Sequence, residues 1–163
     1  MRSVRFVCDG MLGHLARALR ILGMDTTYAG SVEDDSKVLE TARREGRVLV
    51  TRDLELHRRA TGAGLEAVLL KDLPVEEQMA IVLTHVGARL DENRFFTRCT
   101  VCNGVLEPLA AQDVPDEVPE RVRQAQTDFT RCAACGKVYW PGTHVEQMED
   151  RLKRVVELLA GRG

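Results

Sequence analysis

The sequence predicts an α/β fold: a doubly wound parallel sheet, Rossmann-like in its three layers, followed by a small four-cysteine module and a closing helix. Two patterns predict it. The first 90 residues alternate short apolar strand patterns with one-sided helical ones, and two CxxC motifs follow. A strand-and-helix alternation gives parallel strands covered by helices. Right-handed crossovers put those helices on both faces.

Residues 4–8 read as the first strand. Residues 11–22 read as a helix, because Leu12, Leu15, Leu19 and Leu22 fall on one face. Gly23 stands where a left-handed cap ends such a helix. Residues 26–29 are a short second strand. Asp35 is placed to cap a second helix, with Val38, Leu39 and Ala42 as its stripe and Gly46 as its stop. Residues 48–50 are wholly apolar, as a strand covered on both faces should be. Residues 54–60 read as helix and 66–70 as a fourth strand. Pro74 suits the first turn of a helix running to about residue 86.

The pattern breaks at Asp91-Glu92-Asn93-Arg94, so residues 1–92 read as one domain and 93–163 as a second module. Three prolines, Pro108, Pro115 and Pro119, lie between the CxxC pairs. Residues 145–160 form a last helix, with Val145, Met148, Leu152, Val155, Val156 and Leu159 on one side. That stripe is expected to dock on the domain.

The 163 residues are 44% hydrophobic and 29% charged, which suits one domain plus a small module. The net charge of −2 gives no global signature of nucleic-acid binding, though it is compatible with a local basic patch. No apolar run reaches the roughly 18 residues of a membrane span. The start, Met1-Arg2-Ser3-Val4-Arg5, leads into too short an apolar stretch for a secretory signal. The expected location is cytoplasmic, with no membrane partner.

That setting decides the chemistry of Cys99, Cys102, Cys132 and Cys135. Thiols at this spacing in a reducing compartment bind metal rather than pair as disulfides. Four thiolates close a tetrahedral Zn²⁺ site with no open position, so the zinc is structural. Gly104 and Gly136 suit the knuckle turns. Tyr139 and Trp140 are expected to pack against the knuckle or the last helix. Cys8 lies inside the first strand and reads as a small buried hydrophobe.

Asp9, Asp35 and Asp53 carry the catalytic signal. Asp9 follows the first strand directly, Asp53 follows the third after Thr51 and Arg52, and Asp35 opens a helix. In a doubly wound sheet, residues just past the carboxyl ends of strands line one crevice. Carboxylates gathered there require a hard divalent cation, Mg²⁺ or Mn²⁺. Such an ion ionises a water and clamps a phosphate. Asp35 and Asp53 can also serve as simple helix caps, worth about 1 kcal/mol each. Asp9, ending an apolar strand, has no such local task. No GxGxxG or phosphate loop follows the first strand.

The run Cys8-Asp9-Gly10-Met11-Leu12-Gly13, then Leu15-Ala16-Arg17 and Leu19-Arg20-Ile21-Leu22-Gly23-Met24-Asp25, resembles the opening of a PIN-like nuclease family, that of the Mut-seven C-terminal RNase domain. Asp34-Asp35, Val38-Leu39, the segment from Ala42 to Thr51-Arg52-Asp53, and the cysteine module ending Tyr139-Trp140-Pro141-Gly142-Thr143-His144 extend the likeness over nearly the whole chain. The resemblance implies a PIN-like fold with a zinc ribbon. It implies metal-dependent cleavage of RNA, with Asp9, Asp35 and Asp53 as catalytic residues and as ligands of magnesium or manganese. PIN nucleases commonly have a fourth acid, and often a glutamate on the second helix; here the second acid matches Asp35 or Asp34, no fourth is clear, and Asp72 is the remaining candidate for it. Arg17 and Arg52 are expected substrate contacts, since arginine matches phosphate bidentately. Arg20, His14 and His57 read as solvated surface positions. The competing reading is an RNA- or protein-binding module that keeps the fold without turnover. Nothing in the sequence names protein partners.

Overall fold

A computed structural model describes residues 3–30 and 34–162, less the side chains of residues 143–146. The chain start read for a leader, and the side chains of His144 and Val145, therefore lie outside the described residues. Four strands form one parallel sheet. β1 (Arg5–Cys8) pairs with β2 (Asp25–Tyr28) on one side and β3 (Val48–Thr51) on the other, and β4 (Ala67–Leu69) pairs with β3. The order is β2-β1-β3-β4.

The strand sequences explain this order. β3 is buried at all four positions, as an inner strand needs, whereas β2 exposes Tyr28 and half-exposes Asp25. Successive side chains alternate between faces. Phe6, Cys8 and Val50 join Leu15, Leu19, Val82 and Leu83 in one core cluster. Val7 and Leu49 join Val38, Leu56 and Ala60 in another. So α1 (Gly13–Ile21) and α4 (Val75–His85) cover one face, and α2 (Asp35–Glu45) and α3 (Leu54–Gly62) the other. A one-residue register slip would exchange the two faces, and burial of both forbids it.

Two local expectations change. The N-cap of α2 is Asp34, whose carboxylate accepts from the Ser36 amide at 3.3 Å, while Asp35 is the first helical residue. A cap must be extended and reach an amide two or three residues on, and Asp34 meets both conditions. Pro74 precedes α4 at its N-cap position rather than inside the first turn. Gly46 ends α2 in the left-handed region, as expected.

The cysteine module is a three-stranded antiparallel sheet, β5 (Leu106–Leu109), β6 (Phe129–Cys132) and β7 (Val138–Tyr139), in that order. A short helix, α5 (Glu120–Ala125), starts after Pro119, beyond the last of the three prolines, and was not foreseen there. The module's own core cluster is small: Val114, Val118 and Phe129. The last helix, α6 (Thr143–Ala160), packs on α4, and its Leu152 and Val155 enter the α1/α4 core. Docking is thus observed for the described part of the stripe, Met148 to Leu159, except that Val156 is 49% exposed. Adjacent helix positions point about 100° apart, so burying Val155 turns Val156 outward. Among the described residues no helix is long and apolar enough to cross a membrane.

Gly23 closes α1 with φ +78°, and a Cβ there would collide with the Arg94 carbonyl. Gly23→Ala is expected to destabilise the chain by more than about 2 kcal/mol, because the clash adds to the left-handed penalty. A lower denaturant midpoint at unchanged m-value checks this.

Candidate active site and thiolate centre

From β1 the chain steps outward to β2, then crosses back to β3 on the other side of β1. Loops leaving β1 and β3 therefore diverge, and a crevice opens at their carboxyl ends. Asp9 stands there. Its amide donates to the Val50 carbonyl at 3.2 Å, which fixes it to β3. The residue is 6% exposed and is the one buried carboxylate among the described residues. One oxygen accepts from the Met11 amide at 3.1 Å, and the other accepts from the Thr51 hydroxyl. Both partners are neutral. No described arginine, lysine or histidine forms an ion pair with it.

Thr51 also links the second acid. Its Oγ1 accepts from the Asp53 amide at 2.9 Å, so one hydroxyl ties Asp9 to the start of α3. Asp53 caps α3, its Oδ1 accepting the amides of Glu55 at 2.8 Å and Leu56 at 3.1 Å. The cap engages one carboxylate oxygen and leaves Oδ2 without a described partner. Asp35 stands at the same sheet edge, on the first turn of α2, and lies 3.8 Å from Arg59 of α3. Among the described residues no three carboxylates bring their oxygens within 4.8 Å of one another. Asp9 and Asp53 are coupled through Thr51; Asp35 is held by Arg59 instead. Thr51 was visible in the sequence as a hydroxyl ending an apolar strand beside an acid, and its linking role was not read from it.

Beside this crevice lies a groove of about 550 Å³ between α1, the loop after β4, and α6. Arg17 and Arg52 both line it, as do His14 and Asp72. Arg52 pairs with Asp72 at 2.9 Å. Arg17 is exposed and has no carboxylate partner among the described residues. Cys8, directly before Asp9, is fully buried. Burial first, and the Asp9 charge second, push its thiol up to about 12, so it stays neutral.

The four remaining cysteines form the second centre. Their sulfurs all lie within 4.8 Å of one another, with Cys99–Cys135 at 3.7 Å and Cys102–Cys132 at 3.4 Å. A tetrahedron with metal–sulfur bonds of about 2.3 Å has edges of about 3.8 Å, so the donor set fits Zn²⁺. The two CxxC turns repeat each other. The Asn103 amide donates to the Cys99 carbonyl at 2.9 Å, and the Gly136 amide to the Cys132 carbonyl at 3.0 Å. Asn103 and Gly136 both take positive φ, 70° and 80°. Gly104 is needed for space rather than for φ: a Cβ there would lie 2.6 Å from the Cys132 sulfur. Burial resists ionisation of Cys99, but hydrogen bonds from the Tyr139 hydroxyl and the Cys102 and Val101 amides lower it to about 6. Tyr139 thus packs on the knuckle, 3.0 Å from that sulfur, and the Trp140 ring tilts against Phe129.

Arg20 does not lie on a solvated face. It is 6% exposed and donates to the carbonyls of Thr26 at 2.9 Å, Thr100 at 2.9 Å and Val101 at 3.2 Å. Thr100 and Val101 are the two residues between the first pair of cysteines. Asn103 answers from the module: its side chain accepts the Thr26 amide at 3.0 Å and donates to Asp25 at 2.8 Å. Arg47 and Arg98 also face Asp25, at 2.7 and 3.8 Å. Burial raises the Asp25 carboxyl, yet the hydrogen bonds from Arg47 and Asn103 and the two arginine charges hold it below the usual carboxylate range. The module is therefore bolted to β2 and to the end of α1. His57 is half-exposed and His14 exposed, as expected.

Residues 4–152 match the family model described as the Mut7-C RNAse domain. A human protein named exonuclease mut-7 homolog is 38% identical over 104 residues, which is 63% of this chain and 12% of that protein. The chain thus spans about an eighth of that relative's length. No solved structure matches. With a match running from the first strand into the last helix, the chain belongs to the Mut7-C RNase domain family.

Proposed function

We propose that this chain is a metal-dependent ribonuclease domain of PIN-like fold, and that its cysteine module is a structural zinc ribbon. The observation that carries the reading is Asp9: a buried carboxylate at the switch point of a parallel sheet, held by neutral donors and paired with no cationic side chain among the described residues. A buried charge without a partner costs several kcal/mol. A divalent ion is the partner that both offsets that cost and performs chemistry. Family membership and the human exonuclease homologue support the same reading.

In this reading Asp9, Asp53 and Asp35 would hold magnesium or manganese, and the ion would supply an activated water and offset charge on the phosphate. Thr51 aims the Asp9 carboxylate by donating to it. Arg17 and Arg52 bind the RNA phosphates. Residues 1–92 carry the chemistry, residues 93–163 the ribbon and the returning helix, and the protein works in the cytoplasm. Asp35, held by Arg59 on an exposed edge, gives a second reading its footing. That reading is an RNA- or protein-binding module without turnover.

Calorimetric titration of Mn²⁺ into the zinc-loaded chain separates the two. Binding that disappears in Asp9→Asn is the expected result. A wild-type chain that takes up no Mn²⁺, with or without RNA, overturns the nuclease reading and leaves the binding module.

A further inference from the structure

We propose that the groove beside Asp9 is a subsite for one whole nucleotide, base included, and that α6 supplies its outer wall through Met148 and Arg151. The inference rests on the RNA reading above for the identity of the strand. It adds a role for the last helix beyond covering the core.

The lining has two chemistries. Leu12 and Leu15 of the α1 region are buried beneath it, and Met148 of α6 closes it with a flexible thioether. Three arginines, Arg17, Arg52 and Arg151, stand around this apolar base against one lining carboxylate, Asp72. Asp72 is already neutralised by Arg52. Arg151 is braced by Glu76 of α4 at 3.5 Å, which holds it over the groove. A guanidinium has five donors, so a brace at one leaves others for phosphate.

A site for phosphate alone needs cations and water, and an apolar base would serve nothing. A nucleobase needs such a surface, because its π-face stacks on apolar and polarisable side chains. Met11, two residues beyond Asp9, offers more of it and is 64% exposed at the same groove. A volume of about 550 Å³ lies within the range of small-molecule sites. A base still paired in a duplex cannot enter without unstacking, which costs a few kcal/mol. The subsite therefore selects an unpaired nucleotide next to the carboxylates.

The test is fluorescence polarisation with the zinc-loaded full chain and a labelled six-nucleotide RNA, without added magnesium or manganese. Four proteins are compared: the parent, Met148→Ala, Arg151→Ala and Arg154→Ala. Arg154 is on the same helix, pairs with Glu157, and does not line the groove. Arg151→Ala is expected to weaken binding about tenfold, the size of one charge-assisted hydrogen bond, and Arg154→Ala to leave it unchanged. An RNA with one abasic position should bind the parent more weakly, and Met148→Ala should narrow that difference. Equal losses in Arg151→Ala and Arg154→Ala, or equal affinity for intact and abasic RNA, overturn the subsite. So does an absence of RNA binding. Thermal midpoints confirm that each variant is folded. Asp9→Asn distinguishes the two proposals: it should keep this binding and lose cleavage. If groove variants bind normally while cleavage still needs Asp9, the subsite alone fails. If they lose binding and no cleavage is ever seen, the nuclease reading alone fails.

Discussion

Asp9→Asn is expected to lower divalent-dependent RNA cleavage by about 10³-fold, the order that one preorganised electrostatic group supplies. In the metal-free chain the same substitution should raise stability. The asparagine oxygen can accept the Met11 amide and its NH₂ can donate to Thr51, so both neighbours keep a partner. What is lost is a buried charge with no ion-pair partner among the described residues, and removing such a charge relieves its desolvation penalty. Activity and thermal midpoint should therefore move in opposite directions. Cleavage assays under Mg²⁺ and Mn²⁺, beside calorimetric scans without them, check both signs. A variant that unfolds more easily than the parent would show that Asp9 is a structural residue.

Stripping the metal proposed for the four-cysteine centre is expected to have the second largest effect. The module's own core is Val114, Val118 and Phe129, too little to fold alone. Its loss should reach the sheet, because the Arg20 donors and the Asn103 side chain would lose their partners across the junction. The thermal midpoint should fall by about 10 °C or more, as a loss of a few kcal/mol produces at this chain length. Chelator titration followed by scanning calorimetry checks the size. Hydrogen exchange at the Thr26 amide checks the route, since Asn103 holds that amide from the module side. A domain whose midpoint ignores the chelator would make the junction energetically silent.

Much of this architecture was legible in the sequence because it is written in periodicity. Val48-Leu49-Val50 has one meaning in a chain that alternates strands and helices, and the strand it forms is buried throughout. The CxxC spacing was equally plain, since two thiols at that spacing fold onto one ion. Misreadings fell where the deciding partner is far along the chain. Arg20 sits on the polar side of an amphipathic helix, and only the Thr100 and Val101 carbonyls, some 80 residues on, turn that side inward. Thr51 looks like the last residue of a strand until Asp9 arrives beside it. Asp34 and Asp35 are chemically identical neighbours, and only backbone geometry assigns the cap to the first. Periodicity reports on a helix's own faces; it is silent about what a distant loop brings to them.

The return of α6 to the α1/α4 face has a consequence for synthesis. When α4 leaves the ribosome, Leu15, Leu19, Val82 and Leu83 already have the sheet on one side, but the seats of Leu152 and Val155 are still empty. The whole cysteine module must be translated before α6 appears. At roughly 5–20 residues per second, that leaves an apolar helix face open for about 3 to 15 seconds. In that interval the nascent chain exposes this face, and the groove proposed above to take a nucleotide, lacking Met148 and Arg151, is not yet built.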